Sequence, residues 1–285
     1  MKSVTVKCPA KINLTLEIVN RREDGFHNIK SIMQMVDLYD TLTISVSENS
    51  HNEIILNGNS NEIPYNEKNL VYKAADLFFK ESGIEGVKAE IFIDKKIPVA
   101  AGLAGGSTDA AGTFFALNEI FDRPLTKEKL HELCAGLGSD LNVCLEGGCI
   151  LATSRGEKIR KLKTASYPVT IIKPKNLGIS AKEAYTKYSL KENKPKYNMT
   201  EKMLDALNLG EDITKYLYND LEYAVFDDYK ELQVIKDIYP DSIMSGSGSS
   251  YFVLRDAETL LDTEKYQILS GLKFIDNGVC LVSRN

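Results

Sequence analysis

The chain has 285 residues and 43% hydrophobic composition, enough for one large core or two moderate ones, since domains run to roughly 100–200 residues. Charged residues make up 26% and the net charge is −5, which lacks the basic excess that a nucleic-acid partner asks for. Lys7 and Lys11 interrupt the first apolar stretch and no run of about 18 uncharged apolar residues follows, so neither a signal peptide nor a membrane span is expected and the reading is cytoplasmic.

In chain order, the opening alternates as strands do: VTVKC at 4–8, INLTLEIV at 12–19, TLTISV at 41–46 and EIILNG at 53–58. Asn69 then precedes a helical stripe of Leu70, Ala74, Leu77 and Phe78, with Gly83 where a C-terminal cap belongs. A strand is predicted over 87–93, followed by the small-residue loop AGLAGGST at 101–108 and a helix starting near Ser107. TKEKLHELCAGLG predicts a second helix ending at Gly136 or Gly138, and LNVCL and GCILAT read as strands. The polar stretch 155–165 predicts a domain junction. Beyond it come a strand at 169–173, a helix capped by Ser180 and Glu183 that runs to about Tyr188, and helices at 200–208, 212–238 with a break near Asn219, and 257–270. The glycine turn MSGSGSS at 244–250 enters a further strand, so the pattern is a mixed α/β or α+β protein of two layered domains.

Cys8, Cys134, Cys144, Cys149 and Cys280 contain no C-x-x-C pair, and His27, His51 and His131 share no ligand spacing. Packing thiols and no His-built metal centre are expected.

Closely spaced glycine and alanine at 101–106 let backbone N–H groups approach an anion where a helix begins, and the partial positive charge of that helix end favours phosphate. The spacing is neither that of the P-loop nor G-x-G-x-x-G, which argues against a Walker-type nucleotidase and a dinucleotide fold. Asp140 follows a glycine-rich helix end and precedes an apolar run, a placement that can hold a general base partly out of water; alone it is also ordinary turn chemistry. Lys11 lies in a strand bounded by Pro9 and alone reads as a solvated edge lysine. Phosphoryl transfer asks for positioning, charge neutralisation and a group to take the hydroxyl proton, and a lysine, an aspartate and an anion-binding helix end together suffice.

PAKINL at 9–14, IPVAAGLAGGSTDAA at 97–111 and MSGSGSS at 244–250, in that order, resemble the three motifs of the galactokinase, homoserine kinase, mevalonate kinase and phosphomevalonate kinase (GHMP) superfamily, and the resemblance covers nearly the whole chain. Within it, residues 9–44, GSDLNVCLEGGCILATSRGE and NDLEYAVFDDY are most similar to the branch acting on a cytidine diphosphate-linked methylerythritol in non-mevalonate isoprenoid biosynthesis. The resemblance implies an α+β, two-domain fold. Its N-terminal β-α-β domain, with a left-handed crossover, would be ATP-binding and catalytic over 1–160, and a ferredoxin-like domain over 161–285 would bind substrate. By position, Lys11 and Asp140 match the catalytic pair, with Asp140 accepting the hydroxyl proton. Pro98, Val99, Ala100, Ala101, Gly102, Leu103, Ala104, Gly105, Gly106, Ser107 and Thr108 match the ATP phosphate loop. Asn13, Phe26, His27 and Tyr185 match positions around the cytidine diphosphate end, where Phe26 and Tyr185 supply stacking faces. ATP with Mg²⁺ is the implied cofactor, without a dedicated carboxylate cage.

Three departures from the family pattern stand out. Ala104 replaces a common glycine, at a cost of about 1 kcal/mol if φ is positive there. Phe26 replaces a common tyrosine, and Asn142 and Ser249 stand where proline is frequent. Two other readings remain open at this point: a GHMP kinase for a smaller alcohol such as mevalonate or homoserine, and a nucleotide-binding regulator that has lost the chemistry.

Overall fold

A computed structural model describes residues 2–192, 194 and 196–285. Its first feature is a long antiparallel hairpin of β1 (Lys2–Arg21) and β2 (His27–Glu48), paired from Lys2 opposite Val46 to Arg21 opposite His27. The strands predicted at 4–8 and 12–19 are one strand, because the register shift between Pro9 and Ala10 absorbs the proline as a bulge. The first half of β2 escapes a periodicity reading because residues 31–36 are buried without interruption, which removes the alternation a half-buried strand shows.

β3 (Glu53–Gly58) and β4 (Val87–Asp94) pair in parallel, joined through α1 (Leu70–Ser82). Asn69 caps α1 by accepting from the Val71 N–H at 2.9 Å, and Gly83 closes it at φ 68, as the sequence predicts. There follow α2 (Gly105–Ile120), α3 (Lys127–Leu137), α4 (Leu141–Glu146), β5 (Cys149–Ser154) and β6 (Lys158–Leu162). LNVCL is therefore helix α4 and not the predicted strand. Leu141, Val143 and Cys144 are all fully buried, and a short apolar run buried all round carries no period that separates the two forms.

The next elements are β7 (Pro168–Pro174), α5 (Ala181–Leu190), α6 (Met199–Leu209), β8 (Tyr218–Asn219), α7 (Asp220–Val225), α8 (Lys230–Ile238), β9 (Ile243–Met244), β10 (Tyr251–Val253), β11 (Tyr266–Lys273) and β12 (Cys280–Arg284). The break near Asn219 is present, where Asn219 caps α7 through the Leu221 N–H at 2.8 Å, but the helix predicted before it is not: 214–216 make a single 3-10 turn and 218–219 form β8 beside β1. The helix predicted at 257–270 is absent: 257–265 form a loop, and 266–273 pair antiparallel with β7. An unfilled sheet edge outweighs the helical pattern there.

The strands form two sheets. One runs β12-β1-β2-β4-β3, with β5 on β2, β6 on β5 and β8 on β1; the other runs β11-β7-β10-β9. The second places its chain-order fourth, first, third and second strands side by side, as a ferredoxin-like layer does. One core packs the first sheet on α1 and α2 through Ile44, Phe78 and Phe114; a second joins Ala10, Ile12 and Leu14 of β1 to Val169, Ile171 and Phe252 of the second sheet. The middle of β1 is thus buried on both faces, and its other face carries Lys11, Asn13 and Thr15, at 3%, 1% and 0% exposure. Among the described residues no helix is long and apolar enough to cross a membrane, and all five thiols are free, with Cys8, Cys134, Cys144 and Cys149 buried.

Candidate active site

A buried polar row on a strand needs partners, and those of Lys11 come from its own strand and from two distant segments. Its ammonium donates to Asn13 Oδ1 at 2.6 Å and to the Gly102 carbonyl at 3.0 Å, and lies 3.5 Å from the Asp140 carboxylate. Its backbone N–H donates to the Leu103 carbonyl at 3.1 Å, laying the 98–104 loop along β1. Asn13 is fixed in turn: its Nδ2 donates to Ser31 Oγ at 2.9 Å and its backbone N–H to Ser245 Oγ at 3.3 Å. Ser245 Oγ also donates to the Gly102 carbonyl at 3.0 Å, and the Ser250 N–H to Ala101 at 3.2 Å, so the 244–250 turn closes on the same loop. The approach is tight enough that a β-carbon on Gly102, whose φ is 75°, would stand 1.9 Å from the Ser245 carbonyl oxygen.

Helix α2 begins at Gly105, two residues before the predicted start, so Ser107 lies in its first turn and is not its cap. The N-cap position is Ala104 at φ 60, and no side chain caps the helix, which leaves the first-turn amides without a side-chain acceptor. Of the predicted phosphate loop, Gly102, Ala104 and Ser107 line the cleft, whereas Ala101, Leu103 and Thr108 are buried in the fold. Asp140 occupies the N-cap position of α4 without capping it, and its side chain is 28% exposed toward the cleft.

The cleft has a volume of about 780 Å³ and runs from Lys11 and Asp140 to Phe26, His27 and Tyr185. Phe26 sits in the turn between β1 and β2, where Asp24 accepts from the Phe26 N–H at 3.1 Å and Gly25 takes φ 86, and His27 opens β2. Tyr185 comes from α5. The imidazole stacks on its ring at 5.1 Å and 20°, and His27 Nε2 lies 3.2 Å from Ser189 Oγ. Burial first, then Arg21 and Lys194, hold the His27 pKa below its usual value, so the ring is neutral at pH 7. Phe26 is 54% exposed, with the Arg155 guanidinium 5.3 Å from its centroid. The two predicted stacking residues therefore border one cleft, each with a neighbour on one face.

Near the loop, Asn69 is spent capping α1, Lys96 is exposed and Lys95 is buried. Asn142 Oδ1 accepts from His131 Nδ1 at 3.1 Å and its Nδ2 donates to the Glu157 carbonyl at 3.0 Å, within the first turn of α4, a place where proline is equally at home. Among the described residues no three His, Cys, Asp or Glu side chains gather as metal ligands.

Residues 69–148, which include the loop and Asp140, match the GHMP kinases N terminal domain. A 4-diphosphocytidyl-2-C-methyl-D-erythritol kinase of Caldicellulosiruptor bescii is 40% identical over 255 residues, covering 87% of each chain, and one of Bacillus cereus is 38% identical over 94% of this chain and 92% of its own. The chain belongs to the 4-diphosphocytidyl-2-C-methyl-D-erythritol kinase family. A crystal structure of 4-(cytidine 5'-diphospho)-2C-methyl-D-erythritol kinase superposes with a TM-score of 0.72 at 30% identity, over 88% of this chain and 89% of that one. Homoserine kinase from Cytophaga hutchinsonii superposes at 0.74 with 18% identity, over 98% and 97% of the two chains, a likeness of fold alone. Membership of the 4-diphosphocytidyl-2-C-methyl-D-erythritol kinase family makes ATP the phosphate donor.

In this member of the 4-diphosphocytidyl-2-C-methyl-D-erythritol kinase family, sequence reasoning missed Arg155, Ser189 and Ser245 at the site. Ser245 belongs to the MSGSGSS turn, but its partner Asn13 is 232 positions away, a pairing no local pattern encodes. The alternation of Lys11, Asn13 and Thr15 inside an apolar strand was the one available signal for Asn13's place in the row.

Proposed function

We propose that the chain transfers the γ-phosphate of ATP to the hydroxyl at position 2 of 4-diphosphocytidyl-2-C-methyl-D-erythritol, a step in non-mevalonate isoprenoid precursor synthesis. The observation that carries the reading is the Lys11–Asp140 pair, 3.5 Å apart at the end of a cleft that opens beside the first turn of α2. In this reading the amides of the 98–108 loop hold the ATP phosphates, with the helix end supplying partial positive charge. Asp140, whose carboxylate caps nothing, takes the acceptor proton as the hydroxyl oxygen bonds to the γ-phosphorus; the bond to the β,γ-bridging oxygen breaks and ADP leaves. Lys11, aimed by Asn13 and the Gly102 carbonyl, holds its charge between the two reactants. Asn13 thus enters as a wall of the cleft and the residue that orients Lys11.

Phe26, His27 and Tyr185 form the cytidine end. The acceptor is held by both the ATP-binding part, 1–160, and the substrate-binding part, 161–285, since Phe26 and Tyr185 come from different sides of that division. Mg²⁺ enters the proposal with ATP: among the described residues no three His, Cys, Asp or Glu side chains gather to hold it, so phosphates and water would hold most of its positions, and no step above is routed through it.

A coupled ADP-release assay tests the reading. ADP should appear with the cytidine substrate and not with mevalonate or homoserine. Better turnover of either small alcohol would move the chain to another GHMP activity. ATP binding without ADP release from any acceptor would mark a protein that keeps the fold and has lost the chemistry.

A further inference from the structure

Beneath the phosphate loop lies a charge cluster that the chemistry above does not use. Lys95, immediately after β4, is 6% exposed at its side chain and pairs with Asp40 of β2 and with Asp109 of α2, the latter at 2.8 Å. Asp40, fully buried, accepts from the Lys96 N–H at 2.6 Å and the Ile97 N–H at 2.9 Å with its other oxygen. Residues 96–97 are where the chain enters the 98–108 loop, and Asp109 is where it leaves, so one ammonium and one carboxylate tie both stems of the loop to the middle of β2. The ammonium also lies directly under the start of α2: a β-carbon on Gly105 would stand 3.1 Å from Lys95 Nζ and 3.2 Å from Ile97 Cγ2.

We propose that Lys95, Asp40 and Asp109 are positioning residues for ATP, a buried ionic staple across the base of the 98–108 loop that fixes where the first amides of α2 point. The proposal rests on the reading that this loop binds the ATP phosphates. A purely structural buried ion pair would be indifferent to which ligand the protein holds, whereas this cluster touches the loop stems and the α2 terminus and no part of the acceptor end. Two carboxylates share one cation, and Asp109 Oδ1 has no hydrogen-bond partner. Burial pushes the Asp109 carboxyl up, Lys95 pulls it down and Asp40 raises it further. The staple is consequently sensitive to loss of any one member.

Asp109→Ala cuts the α2 arm and leaves the Lys95–Asp40 pair in place. KM for ATP should rise about tenfold or more while KM for the acceptor stays within about twofold, and Asp109→Asn, which keeps a hydrogen-bonding oxygen, should return KM for ATP to within about threefold of the parent. Equal rises in both constants, or no rise in KM for ATP, would overturn the proposal. Where Asp109→Ala does not fold, Asp109→Asn alone decides: about threefold on ATP with none on the acceptor supports the staple, and no split refutes it. Gly106→Asp, run in parallel, places a carboxylate in the loop where a β-carbon meets only Leu70 at 3.8 Å. If Gly106→Asp abolishes ATP binding and Asp109→Ala spares it, the staple fails and the loop reading stands. Normal ATP binding by Gly106→Asp removes the loop reading itself, and the staple with it.

Discussion

Asp140 stands where an aspartate ordinarily caps a helix, yet its carboxylate makes no bond to the α4 amides and faces Lys11 across 3.5 Å. A carboxylate withheld from capping gives up about 1 kcal/mol of local stability, and the gain is an acceptor beside a buried cation. Asp140→Asn keeps the shape and removes the basicity, so kcat should fall by about 10²-fold or more with ATP still bound; a variant keeping more than about half of the parent kcat would take Asp140 out of the mechanism. At Ala104 the same scale gives a different kind of cost. Its φ of 60 places a β-carbon in the left-handed region, so the departure from glycine noted in the sequence carries the strain expected for it. Ala104→Gly should raise Tm by about 2 °C, the equivalent of about 1 kcal/mol for a chain of this size, with KM for ATP no higher than the parent's. A lower Tm would mean that the packing of that methyl group outweighs the strain.

At the scale of elements, the site is an agreement among three segments: the β1 row, the loop before α2, and the 244–250 turn. Gly102 is where they meet most closely, and Gly102→Ala would drive a β-carbon to 1.9 Å from the Ser245 carbonyl oxygen at a φ that disfavours it. The turn must withdraw or the loop must shift. A loss of more than about 3 kcal/mol in chemical denaturation, with activity lost alongside, is expected, and a parent-like midpoint would show that the two segments are not coupled. Which elements were legible follows from the range of the forces that set them. Helix α1 could be read because Asn69 and Gly83 act on their own neighbours, and so could the capping of α5, where Ser180 accepts from the Glu183 N–H at 3.1 Å. The small-residue loop running into a helix at 101–108 was legible for the same reason. Helix α4, the first half of β2 and strand β11 were not, because all-round burial and an edge offered by β7 decide them, and both arise only once the chain has folded. Lys11 and Asp140 could be named from their motifs, but Asn13's grip on the lysine and Arg155's place over Phe26 depend on the assembled cleft.

Across the whole molecule, the chain closes on itself twice: β8 pairs with β1, and β12 returns from the far end of the sequence to pair Val4 with Arg284. The hairpin end bearing Phe26 and His27 meets α5 through the His27–Tyr185 stack and the His27–Ser189 contact, so in the proposed reading acceptor selectivity is a property of the assembled cleft. Cytosine presents an amino donor beside a ring nitrogen and a carbonyl as acceptors, so a site that reads it needs stacking faces and a matched polar edge. Phe26 and Tyr185 offer the faces. His27 is neutral at pH 7, with Nε2 beside Ser189 and one ring nitrogen left for another partner. His27→Ala should raise KM for the cytidine substrate and leave KM for ATP nearly unchanged, because in the proposed reading the two ligands meet different elements. The pH dependence has a fixed sign: with its pKa depressed, His27 is neutral above that value, so KM for the acceptor should be flat from pH 8 to 7 and rise only as pH falls below 6.5. In His27→Ala that rise should vanish. Replacing cytosine by uracil inverts the donor and acceptor edge and should cost about 10²-fold or more in kcat/KM, since the groups that matched cytosine are left unpaired. Equal turnover of the cytidine and uridine substrates would show that stacking alone holds the base, and would strip His27 of any part in reading it.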